Sequence, residues 1–168
     1  MRLIKILALT SSLFTFAIGA TAQNVERMRQ IDVKIYLQQI GGIPPSGPSD
    51  TLLRPLERMV PNDFKLDYAL DALFDENLSD EEVDAGFVSS TFGLKLEGVS
   101  LKNGTATVRF SQPPDKDYEM FTAIIFVDAI TKTAKQFRFV KRVTICAVGK
   151  TTVKTDLDRP FPRCPAGR

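Results

Sequence analysis

The sequence contains no histidine and no tryptophan, and only two of its 168 residues are cysteine. Histidine is the commonest general base and metal ligand, so its absence excludes Ser/His/Asp and Cys/His catalytic arrangements. The chain also has neither the G-x-x-x-x-G-K-[ST] loop that binds phosphates nor the G-x-G-x-x-G turn that binds dinucleotides. The sequence therefore predicts no catalytic residue, no cofactor and no metal site.

Carboxylates are the remaining side chains that could carry acid–base chemistry. Asp67, Asp71 and Asp75 recur every four residues on one side of a predicted helix, a pattern more typical of a solvated face than of a metal site. Glu97 and Glu119 are the carboxylates that a wall-glycan hydrolase could use, although nothing in the sequence singles them out. We therefore predict that the protein is not an enzyme and keep glycan hydrolysis as a distant alternative.

The N-terminal 22 residues have the composition of an export signal. A basic start precedes an apolar stretch at 6–18, and the small residues Gly19 to Ala22 fit a cleavage site before Gln23. The apolar stretch is shorter than the ~20 residues that span a bilayer. We expect a cleaved signal and a secreted or periplasmic protein without a membrane span; an uncleaved anchor is the alternative.

The two cysteines, Cys146 and Cys164, lie downstream of this signal. In an oxidising compartment an even number of cysteines predicts a disulfide. Their bond would tie the proline-rich, basic segment 151–168 back to the preceding strand. Pairing with another chain is the alternative.

Charge is distributed unevenly along the chain. Residues 132–168 hold ten basic and two acidic residues, whereas residues 23–131 hold ten basic and eighteen acidic ones. Such asymmetry indicates either a surface for an anionic partner, such as a cell-wall polymer, or solvated faces that neutralise each other. The candidate interaction surface consists of Lys132, Lys135, Arg138, Lys141, Arg142, Lys150 and Lys154. Nucleic acid is not expected, because the protein is exported and its aromatic residues are not interleaved with these basic ones.

Hydrophobic periodicity predicts a short series of helices and strands. A Gly/Pro loop at 41–50 follows the first strand, and Asn103-Gly104 marks a hairpin. The predicted elements are a strand at 31–38, an extended segment at 51–61, a helix at 64–76 capped by Asn62 or Asp63, a helical turn at 79–86, the hairpin, a buried helix at 116–133 and a strand at 142–148. This order predicts an α+β fold: a single small domain with a mixed or antiparallel sheet and two main helices packed against it.

Several of these segments match a known module in order and spacing. They are VKIYL at 33–37, LLRPLERMVP at 52–61, ALDALFDE at 69–76, GFVSSTFGLKLEGVSLKNGTATVRFS at 86–111, FTAIIFVDAI at 121–130 and VKRVTICAVGK at 140–150. Together they resemble the GerMN domain of sporulation and spore-germination proteins, which also occurs in other bacterial envelope proteins. The resemblance implies a fold similar to ring-building modules and no catalytic or cofactor-binding residue.

The resemblance and the composition together predict the domain organisation. Residues 1–22 are the signal peptide, 23–30 an N-terminal lead, 31–150 the GerMN-like domain and 151–168 the tail held by the disulfide. Many family members are lipoproteins, whereas this chain lacks a cysteine for lipidation. We expect a non-enzymatic protein-interaction or assembly module in the bacterial cell envelope, whose partner is an envelope protein or a second copy; a binder of anionic cell-wall polymer is the alternative.

Overall fold

The computed structural model describes residues 29–40, 52–75, 77–114, 120–155 and 157–165, with the side chains of 120–122 left out of the description. The predicted export signal and its cleavage site, most of the N-terminal lead, the 41–50 loop and Glu119 lie outside the described residues. Within those ranges, no helix has the length and apolar character needed to cross a membrane.

The described residues form six strands and three helices. In chain order they are β1 (Gln30–Gln39), β2 (Leu53–Pro61), α1 (Lys65–Phe74), α2 (Asp80–Asp84), β3 (Phe87–Val88), β4 (Lys95–Lys102), β5 (Thr105–Ser111), α3 (Met120–Lys135) and β6 (Arg142–Ala147). The predicted α+β class is confirmed. The strands form two three-stranded sheets, β2-β1-β3 and β4-β5-β6, where the sequence suggests one.

The first sheet is antiparallel throughout, with β1 at its centre. Val33, Ile35 and Leu37 alternate along β1 and are buried, which confirms the predicted half-buried strand. The extended segment at 51–61 forms β2, whose Pro55 is exposed at the edge of the sheet, where a missing N–H is tolerated.

The second sheet is built on the predicted hairpin. Asn103 and Gly104 both have positive φ, 52° and 75°, as a two-residue type I′ turn requires. The turn joins β4 and β5 in antiparallel register, and β6 then pairs with β5 in parallel. Because parallel neighbours cannot be joined by a tight turn, the chain crosses over through α3 before it returns as β6.

The core lies where α1 and α3 pack against each other and against strands of both sheets. Four phenylalanine rings meet edge to face at its centre, with centroids 5.0–6.0 Å apart: Phe74, Phe110, Phe126 and Phe161. They come from α1, β5, α3 and the tail. One aromatic cluster therefore holds together elements that are far apart in sequence.

The capping residue predicted for the first helix is wrong. The helix begins at Lys65, and its N-cap residue is Phe64. Phe64 has a left-handed backbone (φ 59°, ψ 30°), and its side chain makes no capping hydrogen bond. Neither Asn62 nor Asp63 caps it, because β2 continues to Pro61 and the Asn62 N–H still donates to the Arg29 carbonyl across the strand pair. The turn into the helix therefore falls one or two residues later than the capping residues indicate.

The acidic segment after α1 forms the short helix α2, which has a capping box between Ser79 and Glu82. Gly86, with φ 84°, ends this segment, and its N–H donates to the Val83 carbonyl. Glu82 also accepts two hydrogen bonds from the Arg58 guanidinium, at 2.6 and 2.8 Å, and so ties α2 to β2. Arg58 holds the pKa of Glu82 below its ordinary value.

Replacing Glu82 by glutamine is expected to lower the free energy of unfolding by about 1 kcal/mol at neutral pH, because the amide keeps the capping box but loses the ion pair. The folded-state pKa is lowered, so the contribution is present above the ordinary pKa of 4.5 and disappears as the pH falls through the folded value. Urea unfolding of both proteins from neutral to acidic pH measures this. The exposed Asp84→Asn variant is the control, and an equal loss in both would contradict the assignment.

Candidate functional site

The structure brings three of the seven predicted basic residues together. Lys135, Lys141 and Arg142 line an open groove of about 500 Å³. Thr105, Thr131, Val143 and Thr144 share its lining. We refer to Lys135, Lys141 and Arg142, with these threonines, as the basic groove.

The hairpin turn positions the basic groove. Lys135 is the last residue of α3, and the loop that follows leads into β6 at Arg142. The carbonyl of Gly104 accepts hydrogen bonds from the N–H groups of Lys141 and Arg142, at 2.7 and 3.0 Å. A Cβ on Gly104 would lie 3.2 Å from the Lys141 side chain, so glycine allows the loop to lie against the turn. The hairpin thus orders the cationic loop.

The other four predicted residues do not join the groove. The Lys132 ammonium lies 5.9 Å from the centre of the Tyr36 ring, and the Lys154 ammonium pairs with Asp158 at 2.7 Å. Lys150 lies beyond the far end of β6, and Arg138 is exposed in the loop after α3. The seven basic residues predicted to form one surface therefore divide into three that line the groove and four that lie outside it.

Two exposed phenylalanines precede cations in the chain: Phe64 comes directly before Lys65, and Phe139 lies two residues before Lys141. Phe64 is 77% exposed and Phe139 is 39% exposed. The Lys65 ammonium lies 5.7 Å from the centre of the Phe139 ring, which stacks on Phe137. Their sequence context resembles that of core phenylalanines, so no sequence signal marks them as exposed. We call the basic groove together with Phe64, Lys65 and Phe139 the basic pole.

Acidic side chains occupy another part of the surface. Asp67, Asp71 and Asp75 follow one another on the outer side of α1, opposite its buried residues. Burial raises the pKa of Asp71, and the negative charges of Asp67 and Asp75 raise it further. Among the described residues, no three of the side chains that commonly bind metals are close enough to hold an ion. With the exposed acids of α2, Asp80, Glu81 and Asp84, these residues form what we call the acidic face.

The predicted disulfide is present between Cys146 and Cys164, whose Cα atoms are 4.8 Å apart. Backbone hydrogen bonds between Ala147 and the tail extend the attachment, from Ala147 N–H to Pro162 and from Cys164 N–H to Ala147. Phe161 is buried in the aromatic cluster. The tail is therefore packed on the domain and contributes to its core.

These features define a small α+β module that has charged and aromatic surfaces. Its residues 36–153 match the family model Germane, described as sporulation and spore germination. The chain belongs to this family, which confirms the resemblance found in its sequence. A search of curated proteins finds no match.

Solved structures agree with this assignment at the level of the fold. One is the tandem GerMN domains of the sporulation protein GerM from Bacillus subtilis, with a TM-score of 0.52 and 16% identity over 86% of this chain and 48% of that one. Another is the first GerMN domain of the same protein, with a TM-score of 0.50 and 20% identity over 72% of this chain and 85% of that one. The chain spans about half the length of the tandem structure.

Proposed function

We propose that the protein is a non-enzymatic assembly module of the bacterial cell envelope, in which the basic pole of one copy binds the acidic face of the next. The observation that carries the proposal is that basic and acidic side chains form two clusters on one small domain, which meet on α1 between Lys65 and Asp67. Lys65, Lys135, Lys141 and Arg142 lie at the basic pole, and six carboxylates lie along α1 and α2. Oppositely charged surfaces on one molecule favour head-to-tail contacts, which close into rings or extend into filaments.

The exposed phenylalanine at the basic pole supports a contact surface there. A non-glycine residue in the left-handed region costs roughly 1–2 kcal/mol, and Phe64 adopts that conformation while its ring remains 77% exposed. Aromatic and arginine side chains dominate the binding energy of protein interfaces. Phe64 therefore has the properties of an anchor residue, and the cations of the basic pole would steer an acidic partner.

The envelope location in this proposal is supported by two features. The N-terminal composition is that of an export signal, and the disulfide between Cys146 and Cys164 is typical of an oxidising compartment.

A charge-reversal pair tests the assembly. The basic-pole variant carries Lys141→Glu and Arg142→Glu, and the acidic-face variant carries Asp67→Lys and Asp71→Lys. We expect wild-type protein to associate at low salt and to dissociate as salt is raised, because exposed charges are screened. Each variant alone should remain monomeric, whereas their mixture should associate, since each reversed surface meets a complementary one. Sedimentation velocity measures the distribution.

A variant with Lys95→Glu and Lys150→Glu serves as the control, because it has the charge change of the basic-pole variant but leaves the basic pole intact. It should associate as the wild type does. A wild-type protein that stays monomeric at low salt and high concentration would refute self-assembly. Association of the single-surface variants would show that these surfaces are not the contact.

Replacing Phe64 by asparagine is expected to weaken association at least tenfold without lowering the free energy of unfolding. Asparagine tolerates the left-handed conformation and is a favourable N-cap residue, so the helix should be kept or stabilised. Sedimentation equilibrium and urea unfolding measure the two effects. Leu157→Asn is the control, because Leu157 is also exposed but lies on the tail; a similar weakening in that variant would contradict a specific role for Phe64.

A second candidate function is binding of an anionic cell-wall polymer in the basic groove. Three cationic residues and three threonines line one open groove, a composition that suits repeating phosphate or carboxylate groups. Binding would then appear as co-sedimentation with purified cell wall, lost in the basic-pole variant and at high salt. Unchanged co-sedimentation of that variant would exclude this groove as the binding site.

A further inference from the structure

Two adjoining hollows lie where the tail crosses the end of β6. One has a volume of about 430 Å³ and the other about 730 Å³, which is in the range of small-molecule sites. Ala147, Gly149, Lys150 and Arg163 line both. The two hollows therefore lie next to each other and share these residues, but they differ in the chemistry of their other residues.

The smaller hollow is cationic. Arg109 from β5, Lys150 after β6 and Arg163 from the tail line it. The Arg109 Nε is buried and has no hydrogen-bond partner among the residues that the structure describes. The two ion pairs given for the described residues, Arg58 with Glu82 and Lys154 with Asp158, include none of these three cations.

The strand pairing places Arg109 on the central strand of the second sheet. Arg109 is paired with Gly98 on one side and with Cys146 on the other. A Cβ on Gly98 would meet nothing within 4 Å, so no other side chain covers β4 at that position. The disulfide to Cys164 holds Arg163 on the other side. Arg109 and Arg163 thus flank the hollow from a sheet and from a covalently attached segment.

The larger hollow is mainly apolar. Pro113, Pro114, Pro160 and Phe161 contribute ring surfaces to its wall. Its polar side is ordered by Gln112, whose Oε1 accepts hydrogen bonds from the Thr151 hydroxyl at 2.7 Å and the Thr152 N–H at 2.6 Å. Phe161 packs edge to face on Phe110 at 5.2 Å, so this wall belongs to the folded core.

We infer that this site binds a single-chain amphiphile with a phosphate headgroup, with the phosphate between Arg109, Lys150 and Arg163 and the chain along the proline-lined wall. Guanidinium groups match the geometry of phosphate oxygens. A phosphate group also carries more negative charge than one carboxylate, so it balances the charge of three cations better. The adjoining apolar hollow then favours a phosphate that carries a hydrocarbon chain over a free ion.

The site is separate from the surfaces that carry the assembly proposal. Arg142 of the basic groove is paired with Thr105, four residues along β5 from Arg109, a distance of about 13 Å along the strand. No residue of the hollows belongs to the basic pole or to the acidic face. Ligand binding here and self-association there can therefore fail independently.

A series of alkyl phosphates tests the inference by isothermal titration calorimetry, with butyl, hexyl and octyl phosphate used below their micelle concentrations. We expect each added methylene to tighten the Kd roughly two- to fourfold. Inorganic phosphate and octyl glucoside should bind far more weakly than octyl phosphate. An affinity that does not depend on chain length, or an octanoate affinity equal to that of octyl phosphate, would overturn the assignment of an alkyl phosphate.

Variants that each remove one positive charge locate the site. Arg109→Gln and Arg163→Gln should each weaken octyl phosphate binding at least tenfold, whereas Lys154→Gln should leave it unchanged because Lys154 pairs with Asp158 outside the hollow. Circular dichroism verifies that each variant is folded. In wild-type protein, octyl phosphate should shift the amide NMR signals of Gly98, Arg109 and Arg163. Shifts confined to other residues would refute the site even if a variant failed to fold.

Discussion

Replacing Phe126 by alanine is expected to lower the free energy of unfolding by about 3–5 kcal/mol, the largest effect of any single substitution considered for this protein. Phe126 is fully buried on α3 and contacts the rings of Phe74, Phe110 and Phe161. Truncation removes the apolar surface of the ring, leaves a cavity and breaks three edge-to-face contacts. The loss should exceed that of an ordinary core leucine because it disconnects α1, β5 and the tail from α3.

Urea unfolding monitored by circular dichroism measures this loss. Phe126→Leu should cost less, because part of the volume is retained. Phe139→Ala is the matched control, since its ring lies at the surface, and it should change stability by less than about 1 kcal/mol. Similar costs for Phe126→Ala and Phe139→Ala would show that the aromatic cluster does not centre on Phe126.

Replacing both Cys146 and Cys164 by alanine is expected to lower the free energy of unfolding by about 3 kcal/mol. The disulfide closes a loop of 18 residues, for which the chain-entropy model gives a stabilisation of this size. The bond also keeps Phe161 in the core and Arg163 at the wall of the smaller hollow. Its loss should therefore reduce stability and also weaken octyl phosphate binding.

Reduction of the wild-type protein provides an independent comparison. Dithiothreitol should lower the unfolding midpoint of the wild type to near that of the double variant and leave the variant itself unchanged. Mass spectrometry under denaturing conditions verifies the oxidised and reduced forms. A double variant as stable as the oxidised wild type would mean that the hydrogen bonds between Ala147 and the tail are sufficient to hold it.

Local sequence signals predict the individual elements well. The alternation of Val33, Ile35 and Leu37 predicts β1, and Asn103-Gly104 predicts the hairpin with its left-handed turn. These features depend on neighbours close in sequence, and hydrophobic periodicity and turn chemistry describe such neighbours directly. The α+β class follows from their order.

Features that depend on distant neighbours could not be predicted. The division into two sheets depends on which strands pair, and periodicity along one strand carries no information on its partner. The left-handed Phe64 arises because β2 continues pairing to Pro61, which moves the helix start past the preferred capping residues. Tertiary pairing overrides local capping preference there.

The candidate surface shows the same limit. Lys135, Lys141 and Arg142 are close in sequence, and the structure places them in one groove. Lys150 lies equally close in sequence, but a strand separates it from them and carries it to the other end of the sheet. Charge density along a chain therefore predicted a basic region but could not resolve it into a groove and a hollow. Arg109, from a strand of mixed polarity, carries no sequence signal of its own.

The parallel pairing of β5 and β6 has a consequence for how the domain folds. The hairpin of β4 and β5 needs only contacts between neighbouring residues, whereas β6 can add to β5 only after α3 has formed and crossed over. Contacts between residues distant in sequence form slowly because the intervening chain must be ordered first. We expect the closing strand to dock late and the two cysteines to meet only then. The disulfide would therefore form in a topology that is already correct, and the thiols of Cys146 and Cys164 would remain available to oxidising enzymes until that step.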